Sequence, residues 1–154
     1  KKCNPKKILD DFVATYAKNI EQHGFDLTVT MDSCDYELLL DRDAIMQILM
    51  NVVDNSLKFA AKSQYKMIVI ELRVQGTDIF FVVRDYGPGI PANEMNHVFE
   101  EFYRVENEMT RTTAGTGIGL SMVKRLCGLT NMRIEISNAN PGLRTRLHLP
   151  PLSL

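Results

Sequence analysis

The chain lacks a charge excess of either sign. Its 18 Lys and Arg stand against 19 Asp and Glu, giving a net charge of −1, so no whole-chain footprint for nucleic acid or an anionic membrane is visible. Positive charge must act locally. Cysteine is scarce: Cys3, Cys34 and Cys127 are odd in number, far apart, and show no CxxC or Cys/His ligand spacing. That pattern favours free thiols in a reducing compartment over disulfides or zinc. No apolar run approaches the ~20 residues that span a bilayer, and no signal peptide opens the chain. The protein is therefore expected to be soluble and cytoplasmic, with no nucleic-acid partner and no direct membrane contact. Repeats and low-complexity segments are also missing. What is present is 154 residues at 45% hydrophobic composition, enough for one compact core and short for two. Residues 1–154 read as a single domain.

Asn4-Pro5 is a cap and first-turn pair, after which Ile8, Leu9, Phe12, Val13, Tyr16 and Ile20 recur at helical spacing until His23-Gly24. Phe25 to Met31 and Tyr36 to Leu40 read as strands around the turn-forming Asp32-Ser33. Asp41 is an N-cap for a second helix running to about Ala60. Met67 to Val74 and Ile79 to Arg84 make a hairpin over Gln75-Gly76-Thr77-Asp78. Asp85 to Pro91 is loop, and the polar stretch from Ala92 to Ala114 carries only short helical fragments such as Asn96 to Tyr103. Loops of such length are usually lids or binding segments. Gly117 to Leu129 is a third helix, and Met132 to Ser137 with Leu143 to Leu149 closes the chain as a second hairpin around Asn140-Pro141-Gly142. This alternation predicts helices packed on one face of a mixed sheet.

At about 100° per residue, Asn51, Asn55 and Lys58 share an arc of roughly 60° on the second helix. Ile45, Ile48, Leu49, Val52 and Val53 occupy a neighbouring arc suited to a core. Asn is a poor choice inside a helix, so two of them a turn apart ask for a reason. A solvated face with a pair of amides is one reading. The other is that amide oxygens, as hard neutral ligands, complete the shell of a magnesium ion whose remaining ligands are phosphate and water. Asn55 is then the first choice for the metal, with Lys58 set against a phosphate.

Two glycine-bearing segments extend this chemistry. In RDYGPGIP, Asp85 ends an apolar strand, so its carboxylate lies at a sheet edge where it need not be solvated. A carboxylate accepts from an amino group and cannot accept from a guanine carbonyl, so it can choose adenine. Gly87 and Gly89 let the backbone approach a base closely. An ordinary Asp-Tyr-Gly-Pro-Gly turn is the plainer alternative. In AGTGIGLS, Gly115, Gly117 and Gly119 open a helix whose unpaired N–H groups suit phosphate. Leu120 stands where GxGxxG needs its third glycine, and no Gly-Lys-Ser/Thr follows, so neither a dinucleotide fingerprint nor a P-loop is present. Between the segments, Phe99, Phe102 and Tyr103 offer rings for packing, while Arg104 and Arg111 carry charge able to reach a terminal phosphate.

Taken together, MQILMNVVDNSLKFA, RDYGPGIP, FEEFYR and GTGIGLSMVKRL resemble the N, G1, F and G2 boxes of the ATP-binding catalytic domain of sensor histidine kinases, a branch of the GHKL (Bergerat-fold) ATPases and kinases. The resemblance covers nearly the whole chain. It implies an α/β (α+β) two-layer sandwich, with a mixed sheet of about five strands covered on one face by three helices. It also implies bound MgATP or ADP, with Asp85 on the adenine amino group and Phe59 beside the base. Ile90, Tyr103, Arg111 and the run Gly115, Thr116, Gly117, Ile118, Gly119 and Leu120 join the pocket on the same ground. The stretch from about Glu94 to Ala114 becomes an ATP lid, and Arg104 contacts the terminal phosphate. Asn51, Lys58 and Arg104 are the residues assigned to the reaction.

In the hydrolysing branches that the motifs resemble, the position of Asn51 is a Glu that acts as general base on water. An amide cannot take that proton, which favours phosphate transfer to another acceptor over hydrolysis. A serine kinase of the anti-sigma-factor type is a rival, opposed by Asn51 and by the FxxFYR segment. A degenerate nucleotide sensor or docking module is another. None of His23, His97 and His148 has the helical setting and the following acidic residue and proline of a phosphoacceptor. The acceptor is therefore expected on a helical dimerisation domain of a parent kinase, free or membrane-anchored, with a response regulator downstream. Asn131-Met132 and Arg144-Thr145-Arg146 depart from the family's usual glycine patterns, as does Ala114 before Gly115.

Overall fold

The computed structural model describes residues 1–99 and 118–151. Helix α1 (Pro5–Gln22) begins where Asn4 Oδ1 accepts from the Lys6 N–H at 2.8 Å, and it ends at Gly24, whose φ of +84° reverses the chain. Strand β2 (Asp26–Met31) follows, as expected. The expected strand at Tyr36–Leu40 shrinks to β3 (Leu38–Leu39), which leaves the main sheet and pairs antiparallel with an unanticipated β1 (Lys2–Cys3). The reason is a long-range one: Leu38 and Leu40 are buried, and the Leu40 N–H donates to the Lys1 carbonyl at 3.0 Å.

Helix α2 (Arg42–Phe59) is capped by Asp41, whose Oδ1 accepts from the Ala44 N–H at 3.0 Å. Strands β4 (Met67–Gln75) and β5 (Asp78–Arg84) form the predicted hairpin, with Gly76 at φ +63° in the turn. A single helical turn, α3 (Ala92–Met95), starts at Pro91, whose carbonyl accepts from the Glu94 and Met95 N–H groups. Of the helical fragment expected over Asn96–Tyr103, residues 96–99 are turn and residues 100–103 lie outside the described residues. Helix α4 (Ile118–Leu129) leads to β6 (Arg133–Asn138) through Asn131, which takes a φ of +57°. Strand β7 (Leu143–His148) completes the second hairpin.

The main sheet has five strands in the order β2-β4-β5-β7-β6, with only β2 and β4 parallel. That parallel pair requires a crossover, and α2 lies within it. Helices α1, α2 and α4 pack on one face, as the sequence predicted. Phe12, Ile8 and Leu9 of α1 and Ile45, Ile48, Leu49 and Val53 of α2 meet Ile68, Ile70 and Leu72 of β4 and Phe81 of β5. Tyr16 of α1 donates a short hydrogen bond to Asp54 of α2, and burial together with that carboxylate pushes the phenol pKa well up. A second, smaller cluster of Ile90, Val98 and Leu143 gathers Phe59, Met95, Phe99, Leu120 and Ile136 around it. It joins α2, the loop after β5, the start of α4 and the second hairpin. The three cysteines are free thiols, and burial raises that of Cys127 to about 11. No helix among the described residues is long and apolar enough to cross a membrane.

Candidate functional site

Strand β5 lies at the centre of the main sheet, so Asp85 at its end is not at a sheet edge; it is 0% exposed. Its Oδ1 accepts from the Gly87 N–H at 2.9 Å and the Leu143 N–H at 3.2 Å. Its Oδ2 is buried and has no hydrogen-bond partner among the described residues. Burial raises the Asp85 pKa, opposed by the two backbone N–H groups, the nearby Ser56 hydroxyl and the Arg84 charge. A carboxylate oxygen in that condition costs stability unless a donor reaches it. The structure therefore holds one acceptor in reserve.

The glycines next to Asp85 answer to protein packing rather than to open space. A Cβ on Gly87 would stand 3.0 Å from the Phe59 carbonyl at the end of α2. On Gly89, at φ +76°, it would stand 2.5 Å from Asn138 Oδ1. Packing alone thus requires glycine at both positions, beside the close approach to a base expected from sequence. Asn138 itself clamps the loop, accepting from the Ile90 N–H at 2.9 Å and donating to the Ile90 carbonyl at 2.8 Å. Gly142, at φ +88°, passes so close that a Cβ there would overlap the Asp85 carbonyl. Asp85 is thus held between two backbone straps.

A narrow cleft of about 10 Å³ opens beside Ser56, lined by Val52, Asn55, Phe59, Ile90, Leu120, Ile136, Leu143 and Thr145. Of the predicted site residues, the structure brings Asn55, Phe59, Ile90 and Leu120 together there. Asn51 lies half-buried one turn before Asn55 on α2, and Lys58 is exposed one residue before Phe59. Helix α4 starts at Ile118, within one residue of the expected Gly117, and includes Gly119. Tyr103, Arg104, Arg111, Gly115, Thr116 and Gly117 lie outside the described residues. Sequence reasoning missed Ser56, Thr145 and Asn138 as site residues. The first two had a signal: Ser56 is a hydroxyl on the apolar arc of α2, and Thr145 is an inward position in an alternating strand. Asn138 had none.

Each histidine has a structural setting other than a phosphoacceptor helix face. His23 ends α1 with Nδ1 at 2.8 Å from the Asn19 carbonyl, His97 lies in the turn after α3, and His148 sits between Asp78 and Glu135 at 3.0 and 3.2 Å.

The family model described as "Histidine kinase-, DNA gyrase B-, and HSP90-like ATPase" matches residues 40–153. Hybrid signal transduction histidine kinase B of Dictyostelium discoideum is 32% identical over 139 residues, which is 86% of this chain and 7% of that protein. Sensor histidine kinase WalK of Bacillus subtilis is 30% identical over 119 residues, 77% of this chain and 19% of that protein. The chain therefore spans about a fifth or less of these two relatives. Among solved structures, the catalytic domain of histidine kinase ThkA superposes with a TM-score of 0.80 at 23% identity, covering 97% of this chain and 96% of that one. This last likeness is one of fold.

Proposed function

Since this chain belongs to the histidine kinase-, DNA gyrase B- and HSP90-like ATPase family, we propose that it binds MgATP and donates the terminal phosphate to a histidine on a separate, helical dimerisation and phosphoacceptor domain. The observation that carries this reading is Asp85: a fully buried carboxylate with one oxygen unpartnered among the described residues, beside a cleft of apolar side chains and two hydroxyls. An adenine amino group supplies the missing donor. The cleft is too small for a purine as it stands, so the base enters with a shift of the side chains that line it.

The residues present also suit the metal. Among the described residues no three His, Cys, Asp or Glu side chains converge as a metal site, so a divalent ion here is held by the Asn55 amide oxygen, the phosphates and water. Bound magnesium would neutralise phosphate charge and orient the terminal group. Asn51 has no basic function to offer water, which keeps that phosphate for a nitrogen acceptor. Lys58 sets positive charge toward the phosphates, a role Arg104 and Arg111 share. The Gly115–Leu120 run cradles the phosphates with backbone N–H groups. Residues 1–154 act in this reading as one catalytic domain, with residues 94–114 as its lid. A response regulator takes the phosphate onward, and the working compartment is the cytoplasm.

The test is to supply ATP labelled on the terminal phosphate, this chain, and a separately produced phosphoacceptor domain. Acid-labile, base-stable label on the acceptor's histidine is expected, and Asn55→Ala is expected to lower it at least ~100-fold. Tight ATP binding with no label on any histidine would favour a nucleotide sensor.

A further inference from the structure

The face of the sheet turned away from the helices has a charge arrangement that nucleotide binding does not use. Arg84 of β5 stands directly opposite Arg144 of β7, and Arg146 lies two residues on, on the same face. Like charges facing each other across strands are disfavoured. The other cations of this face are neutralised locally. Arg73 pairs with Asp32 and Glu71 at 3.4 and 3.5 Å, and Arg146 with Glu135 at 4.0 Å. Asp78 and Glu135 also hold His148. Arg144 pairs with no acidic side chain among the described residues, and it lines a groove of about 480 Å³ whose floor is Phe80 and Val82.

Arg84 is held in place without a salt bridge among the described residues. Its Nη2 donates to the Pro141 carbonyl at 3.2 Å, its guanidinium lies 4.1 Å over the Tyr86 ring, and its Nε is buried without a partner. Tyr86 in turn meets Tyr65 edge-on at 4.7 Å, and Tyr65 is 56% exposed. A fixed arginine, a second unpaired arginine and an exposed tyrosine form the kind of patch that carries binding energy at protein interfaces. The geometry points to a docking site for an acidic protein segment, with a carboxylate taken by Arg144 and Arg84 and an adjacent apolar side chain laid on Tyr65. A uniform polyanion such as nucleic acid fits less well, because Glu71, Glu135 and Asp78 line the same groove. Inclusion of both signs selects a side-chain pattern rather than a backbone of phosphates.

The experiment titrates the isotopically labelled 154-residue chain with a blocked nonapeptide of repeating Glu-Leu-Asp, following backbone amide signals. Saturable shifts are expected over Val82–Arg84 and Leu143–Arg146, with binding weakened about tenfold in Arg144→Gln while ADP affinity stays within about twofold. A second variant, Tyr65→Ala, is expected to weaken the peptide several-fold and leaves the sheet untouched. Absence of shifts on this face, or an unchanged peptide affinity in Arg144→Gln, would overturn the proposal. So would equal binding of an uncharged control nonapeptide of repeating Gln-Leu-Asn, tighter binding of oligothymidylate or inorganic phosphate, or self-association of the chain in sedimentation through the same residues.

Discussion

Asp85 is fully buried, with one carboxylate oxygen held by two backbone N–H groups and the other by none among the described residues. Its pKa is raised by that burial. A carboxyl with a raised folded-state pKa binds more protons folded than unfolded. Its contribution to stability is thus full below the unfolded value and is lost as pH climbs through the folded one. Nucleotide affinity runs the opposite way, falling as pH drops through the folded pKa, because only the ionised form accepts from an amino group on both oxygens. Asp85→Asn is accordingly expected to raise the melting temperature of the free protein by a few degrees, while weakening ATP at least about tenfold. Calorimetry of both quantities on one preparation checks this. A lower melting temperature would make Asp85 a structural acid. Asn55→Ala, by contrast, is expected to leave the melting temperature within about 2 °C and to abolish the gain in ATP affinity on adding magnesium, because Asn55 is half-buried and has no hydrogen-bond partner among the described residues to lose. An unchanged magnesium dependence would remove it as ligand.

Among the elements, those with their own punctuation were legible from sequence. Asn4 and Asp41 cap α1 and α2 as read, Gly24 and Gly76 turn the chain as read, and Met67–Gln75 alternates so that Ile68, Ile70 and Leu72 face the helices. What escaped were features created by distant pairing. The two-residue strands β1 and β3 exist only because they meet each other, and neither has a period to read. The continuous apolar run of β5 hid that Phe80 and Val82 sit on the face without helices, where arginines and His148 cover them. The Asn138 clamp on Ile90 joins residues far apart in sequence, and no local pattern announces it. Gly142 was read as a turn residue, whereas the structure also makes it the strap over Asp85. Gly142→Ala is expected to cost about 2–4 kcal/mol, from the strained φ and the overlap together. Chemical denaturation measures it. A cost below about 0.5 kcal/mol would mean that the strap yields freely.

The whole molecule divides its sheet into two working sides. One face is sealed by α1, α2 and α4 and presents, at the end of its central strand, the acid and the cleft assigned to the nucleotide. The other leaves Arg84 and Arg144 without a salt bridge among the described residues. Alternation along β5 sets Arg84 and Asp85 back to back on these sides, so the two sites are neighbours through the backbone without sharing a surface. The segments around Asn55 and Asp85 could be read as motifs because they are short and local; the arginine side could not, because it depends on the register that sets Arg84 against Arg144.

Titration calorimetry of ATP against GTP, with magnesium present, tests the role of Asp85 most directly. If the unpartnered oxygen of Asp85 is kept for an adenine amino group, ATP binds at least about tenfold more tightly than GTP, a difference of about 1.4 kcal/mol or more. In Asp85→Asn that preference shrinks to within about threefold. Equal affinity of the unaltered protein for both nucleotides would contradict the assignment of Asp85, and with it the reading of the cleft as an adenine site.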